Sequence, residues 1–342
     1  MTNDTSYMQK TLDVSVLMLF HARPDHFSKV WAEVRKARPA RLFLYQDGPR
    51  EGKNDMPGIL ACRSLVADEN IDWDCDVHRL YQERNYGCDP SEFISQRWAF
   101  SQTDKCIVLE DDDVPSQSFF TFCKEMLDRY EHDERITMIA GFNTESARHH
   151  VKESYFFTRA FSIWGWASWA RVVNNWDGEY NFVKDKEQFE ILHRKARQYN
   201  QRSDFEAMCQ RHAASGTQYY ESIFWAYMLM HDGLAVMPAV NLVNNIGLEG
   251  GTHYSTQLSL LPKRLRWQFE MPREELQFPL VHPAEVKEDA DYQRLFYLRN
   301  AWNNPCRKVQ YSLEELWLNL IHGNFRNIFS SLSKRIKKTV GC

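Results

Sequence analysis

One stretch constrains this chain more than any other: Cys106-Ile107-Val108-Leu109 runs directly into Glu110-Asp111-Asp112-Asp113. Four apolar residues ending in four carboxylates predict a buried strand whose C-terminal end opens into a site, and that end is where ligands bind in open α/β sheets. Two carboxylates about 5 Å apart repel by roughly 3 kcal/mol at an effective dielectric near 20. A divalent cation removes that repulsion, and hard oxygen ligands suit Mg²⁺ or Mn²⁺. A bare acidic run would read as a solvated turn. Fusion to an apolar strand and a following helix favours a metal site instead. In that helix Ser116 is placed to cap, and Phe119, Phe122, Cys123, Met126, Leu127 and Tyr130 fall on one core-facing stripe.

The preceding chain supplies the rest of such a sheet. Val14 to Phe20 predicts a strand leading into His21-Ala22-Arg23-Pro24, and a helix follows with Phe27, Val30, Trp31 and Val34 on its apolar side. Arg41 to Tyr45 is the next strand, closed by Gln46-Asp47-Gly48-Pro49. This is a βαβ unit with a parallel pair, so Arg23 and Asp47 should emerge beside the acidic turn. Asp47 before Gly48 serves turn chemistry equally well. A third strand over Cys75 to Leu80 precedes the glycine turn Arg84-Asn85-Tyr86-Gly87-Cys88, where backbone can approach a ligand closely. A helix over Pro90 to Ser101 carries Arg97, and Met138 to Phe142 predicts a further strand.

Downstream, Trp164-Gly165-Trp166 lies within an aromatic run ending at Trp169. Three indoles in six residues are crowded for a core and suit the wall of a carbohydrate site. Lys184 to Ala214 predicts a solvated helix pair. Glu221 opens a strongly apolar helix, alone in its first turn, as a cap or as a general base. Ala235 to Val243 predicts a last strand, and Gly250-Gly251-Thr252-His253 belongs to a loop long enough to close over a ligand. From about residue 256 the composition shifts. Lys263-Arg264-Leu265-Arg266-Trp267 is basic and aromatic, and residues 317–342 carry five basic residues and no acid. With an apolar face including Leu316, Leu320 and Phe325, this tail predicts either an anionic-membrane-binding helix or one docked on its own domain.

The net charge of −4 argues against a nucleic-acid partner. Eight cysteines without a C-x-x-C pattern predict reduced thiols, not disulfides or zinc. The polar N-terminus and the lack of a long apolar run predict a cytoplasmic chain, peripheral at the membrane if the tail binds it. The expected organisation is α/β: a mostly parallel sheet flanked by helices over residues 1–255, and a helical C-terminal extension over 256–342.

Arg23, Gln46-Asp47, Arg97-Trp98-Ala99-Phe100, Ile107 to Asp112 and Ser162 to Trp169, in this order, resemble the GT-A-fold glycosyltransferases. Among these they are most similar to N-acetylglucosaminyltransferase I and its bacterial relatives, whose pattern also resembles Asn85 to Cys88 and Pro238 to Gly247. The resemblance covers about residues 12–255. It implies a UDP-sugar donor with Arg23, Asp47, Asn85 and Arg97 on the nucleotide side, and Glu110 and Asp111 on ribose and sugar. It implies Mn²⁺ or Mg²⁺ on Asp112, with the additional Asp113 as second candidate, and Trp164, Gly165 and Trp166 on the acceptor side. The catalytic carboxylate would be Glu221, where the family has an aspartate. Ser95 replaces a nucleotide-contacting histidine. The implied reaction is inverting transfer to a saccharide or lipid-linked acceptor. Two alternatives are a sugar nucleotidyltransferase, which would need a glycine-rich basic loop where His21-Ala22-Arg23-Pro24 stands, and a non-catalytic carbohydrate-binding protein.

Overall fold

The computed structural model describes residues 11–248 and 258–325. The first half alternates strand and helix: β1 Leu12–Phe20, α1 Pro24–Ala37, β2 Pro39–Gln46, α2 Met56–Leu65, β3 Asp76–Tyr81, α3 Cys88–Phe100 and β4 Lys105–Glu110. Next come β5 Asp113–Pro115, α4 Gln117–Arg129, β6 Ile136–Ala140, β7 Tyr155–Thr158, β8 Trp166–Trp169 and the short α5 Ala170–Val173 and α6 Asn181–Lys184. The predicted outer pair is α7 Lys186–Gln198 and α8 Phe205–Ser215, followed by α9 Tyr220–Met230, β9 Leu234–Pro238 and β10 Val243–Asn245. Three helices close the described chain, α10 Lys263–Glu270, α11 Ala290–Arg299 and α12 Pro305–Ile321.

The eight-stranded sheet has the order β3-β2-β1-β4-β8-β6-β9-β7. Only β7 and β8 run against the other six. The apolar runs of β1, β2, β4 and β6 are buried along almost their whole length, as expected for strands covered on both faces. Register places the site: Leu19 pairs with both Tyr45 and Glu110. The residues after β1, β2 and β4 therefore leave the sheet at one level.

Two local expectations are corrected. The single strand expected over Ala235 to Val243 is two. β9 stays in the main sheet, whereas β10 pairs antiparallel with β5. The break is made by asparagine side chains: Asn143 Nδ2 donates to Pro238 O at 2.8 Å, and Asn241 bonds both Asn143 N–H and Val243 O. Ser116 occupies the N-cap of α4 without a side-chain capping bond. Glu275 accepts from the N–H groups of Gln117 and Ser118 at 3.1 and 2.7 Å instead.

The later helices share the core of the sheet. Leu280, Tyr292, Phe296 and Tyr297 are buried within it, and a buried ion pair joins Arg299 to Glu145. All seven described cysteines are unpaired. No helix among the described residues is long and apolar enough to cross a membrane. Most of the glycine-rich loop (residues 249–257) and the tail from 326 onward lie outside the described residues.

Candidate active site

Arg23 precedes Pro24, which opens α1 with its φ already helical. Its guanidinium reaches across to the end of β4. Nη2 donates to Asp111 and, at 2.8 Å, to Asp112 Oδ2, and Nε donates to Asp111 Oδ2 at 3.2 Å. Burial works against the charge on Arg23, but Asp111 and Asp112 together raise its pKa above the usual arginine value. Burial raises the pKa of Asp111 despite Arg23, and burial followed by the surrounding acids raises Glu110 well above the carboxylate range. One guanidinium thus faces more buried acid than it neutralises.

Asp112 and Asp113 have different surroundings. Asp113 is fully buried and accepts from Gly165 N–H at 2.9 Å and from Asn245 Nδ2 at 3.1 Å. It ties β5 to β10 and to the turn before β8. Asp112 accepts from Asn245 Nδ2 through Oδ1 and turns Oδ2 toward Arg23. Beside it, a Cβ added at Gly247 would stand 1.8 Å from Asp112 Oδ2, so only glycine leaves that carboxylate room. Hard carboxylate oxygens are the donor type that Mn²⁺ and Mg²⁺ take, and both oxygens of Asp112 already bond Arg23 and Asn245.

Asp47 is a clamp on the glycine turn. Its oxygens accept from the N–H groups of Gly48, Tyr86 and Gly87 and from Asn85 Nδ2 at 2.7 Å. Gln46 Nε2 donates to His21 O at 2.7 Å, tying the ends of β1 and β2 together. Around them opens a cleft of about 390 Å³ whose lining includes Arg23, Asp47, Asn85, Glu92, Glu110 and Asp111. Arg97 is not among the lining residues. It sits in the last turn of α3 and donates to Val173 O at 2.9 Å.

A second cleft of about 480 Å³ is walled by Phe161, Trp164, Tyr219, Trp225 and Trp302 and contains Asp89 and Glu221. The Trp164-Gly165-Trp166 run therefore divides. Trp164 faces the cleft, while Trp166 is 1 % exposed and packs against Phe100, Trp176, Tyr220 and Phe224. Gly165 makes the division possible: at φ +64 it turns the chain with Val243 directly against it, 2.8 Å from where a Cβ would stand.

Glu221 is solitary in sequence but not in space. One carboxylate oxygen from each of Asp89, Glu92 and Glu221 lies within 4.8 Å of the others. Burial first, then Glu221 and Asp89, raises Glu92 well above the carboxylate range. Glu92 lines the first cleft, whereas Asp89 and Glu221 line the second, so the trio marks where the two meet. Sequence reasoning passed over Asp89 and Glu92. The available signal was their i, i+3 spacing near the start of a helix after Gly87, which puts both on one face.

No protein-family profile matches the chain, and no curated protein matches it in sequence. Solved structures resemble it only loosely. A cytidylyltransferase from Leptospira borgpetersenii is 9 % identical with a TM-score of 0.30, covering 48 % of this chain, which spans only 63 % of that protein. A UDP-glucose pyrophosphorylase complexed with UDP-glucose is 8 % identical over 48 % of this chain and 81 % of its own, with a TM-score of 0.29. Mouse xyloside xylosyltransferase 1 is 10 % identical over 64 % and 81 %, with a TM-score of 0.32. These are nucleotidyltransferases and a glycosyltransferase, and superpositions this loose carry no argument about this chain. The fold class, a mostly parallel α/β sheet flanked by helices, rests on its own topology.

Proposed function

We propose that the protein is a metal-dependent, inverting glycosyltransferase that uses a UDP-sugar, with UDP-N-acetylglucosamine the first to test. The observation that carries this reading is the pair of clefts meeting at carboxylates above the strand ends. The cleft with Arg23, Asp47 and Asn85 would take the nucleotide, Glu110 and Asp111 facing ribose and sugar. The aromatic cleft would take a saccharide, whose flat apolar faces stack on Trp164 and Trp302. Asp112 is the ligand assigned to Mn²⁺ or Mg²⁺, through the Oδ2 that otherwise accepts from Arg23, and Asp113 is occupied holding the turn. When bound, the ion would offset charge on the diphosphate leaving group.

In this reading Glu221 takes the proton of an acceptor hydroxyl as its oxygen attacks the anomeric carbon. The bond from that carbon to the diphosphate breaks with its electron pair leaving on UDP, through an oxocarbenium-like transition state. A single displacement inverts the anomeric centre. Glu92 lies buried beside Glu221, and burial followed by Glu221 pushes its pKa upward. Arg23 bonds the carboxylates of both Asp111 and Asp112 and so fixes their positions at the strand end.

Nucleotide sugars should be screened with Mn²⁺ for thermal stabilisation and then for UDP release. Pyrophosphate release from a nucleoside triphosphate and a sugar phosphate would support a nucleotidyltransferase instead. Tight sugar binding with no turnover of any donor would support a binding protein.

A further inference from the structure

Neither cleft accounts for one apolar surface. α12 is seated on α10 through its polar side: Glu314 accepts from Lys263 N–H at 2.9 Å, and Arg264 lies over the ring of Tyr311 at 4.4 Å. This seating turns Val309, Leu313, Leu316, Trp317, Leu320 and Ile321 outward, each between 42 and 63 % exposed. Their spacing of i, i+4, i+7, i+8, i+11 and i+12 makes one continuous stripe. A helix docked on a soluble domain puts its polar residues outward, and a contiguous exposed apolar stripe marks a surface that is covered in use.

Charge specifies the cover. Lys263, Arg264 and Arg266 on the adjoining α10 form no ion pair with any described residue. Beyond Phe325 the sequence adds Arg326, Lys334, Arg335, Lys337 and Lys338 and no acid, in a chain whose net charge is −4. An apolar stripe with a central tryptophan, in a chain whose sequence continues into five basic residues and no acid, matches the headgroup region of an anionic bilayer. A second copy would set like charges against each other. Position adds function: Gln268 of α10 and Trp302, three residues before α12, both line the aromatic cleft.

We propose that the outward face of α12 docks on an anionic membrane surface and so presents the aromatic cleft to saccharides carried on lipid. The second half of this proposal rests on that cleft being the acceptor site. The full chain should co-sediment with vesicles containing phosphatidylserine and not with phosphatidylcholine alone. Binding should weaken as salt rises past about 0.15 M, where the Debye length is near 8 Å. Leu313→Glu combined with Trp317→Glu should lower the bound fraction at least about tenfold, because both place charge on the apolar face. Both side chains are exposed, so melting temperature and UDP release from UDP-N-acetylglucosamine should stay at parental values. The proposal is overturned by no sedimentation with anionic vesicles or by equal sedimentation of parent and variant. It is also overturned by a light-scattering dimer that the variant dissociates, which would assign the face to a second copy. Absent UDP release with intact vesicle binding would overturn the glycosyltransferase reading and leave the membrane face standing.

Discussion

Glu221, Asp112 and Gly247 are the residues on which the chemistry can be tested one atom at a time. Glu221→Gln keeps shape and removes the base. It should retain donor-induced thermal stabilisation while transfer falls by about 10²–10⁴-fold, the usual share of a general base. If Glu221 serves only as a cap, turnover would persist and the melting temperature would drop. Asp112→Asn keeps the acceptor for Asn245 Nδ2 and lowers the charge facing a cation. Calorimetry should find Mn²⁺ binding lost with the fold intact, and unchanged Mn²⁺-dependent turnover would shift the ligand role to Asp113. Gly247→Ala puts a carbon 1.8 Å from the present position of Asp112 Oδ2 and forces that oxygen to move. We expect the same loss of Mn²⁺ binding, by displacement instead of neutralisation.

At the scale of elements, the site is held by connections that cross long distances in sequence. β5 and β10 pair only through three residues each, yet they bring Asn245 between Asp112 and Asp113. α4, whose buried stripe supports the acidic turn, is capped by Glu275 from far downstream. Glu275→Ala should therefore lower stability by about 1 kcal/mol, the usual cost of losing an N-cap. Denaturant melts should show it as a lower midpoint with unchanged slope. Ser116→Ala removes no capping bond, only the hydroxyl contact with Ser118 Oγ at 3.2 Å, and should lower the midpoint less than Glu275→Ala.

For the whole molecule, the decisive contact is Arg299 with Glu145, both buried, where α11 meets the chain after β6. Arg299→Met leaves Glu145 with Arg148 at 3.8 Å as its remaining cation. Losing one partner of a buried pair costs about 3–5 kcal/mol. The melting temperature should fall steeply in one cooperative transition, and adding Glu145→Gln should restore part of it. Two separate transitions in the parent would instead indicate that the residues after 256 fold as an independent unit.

The order of strands and helices was legible because it is written in local patterns. Apolar runs such as Val14 to Phe20 and Ile107 to Leu109, short and bounded by turn residues, read as buried strands, and the stripe from Phe119 to Tyr130 reads as one helix face. Arg23 and the acidic turn could be placed together because parallel strands deliver their C-terminal ends to one edge. What the sequence could not show is which way a side chain turns once neighbours compete for the same space. Trp164 and Trp166 read alike, but Gly165 sends one to the cleft and the other to the core. Asp112 and Asp113 read alike until Gly165 N–H takes up Asp113 and Arg23 takes up Asp112. Glu221 reads as solitary until α3 brings Asp89 and Glu92 beside it. Each of these is settled by contacts between residues dozens of positions apart. Local periodicity carries no information about such contacts, and only the packed tertiary structure decides them.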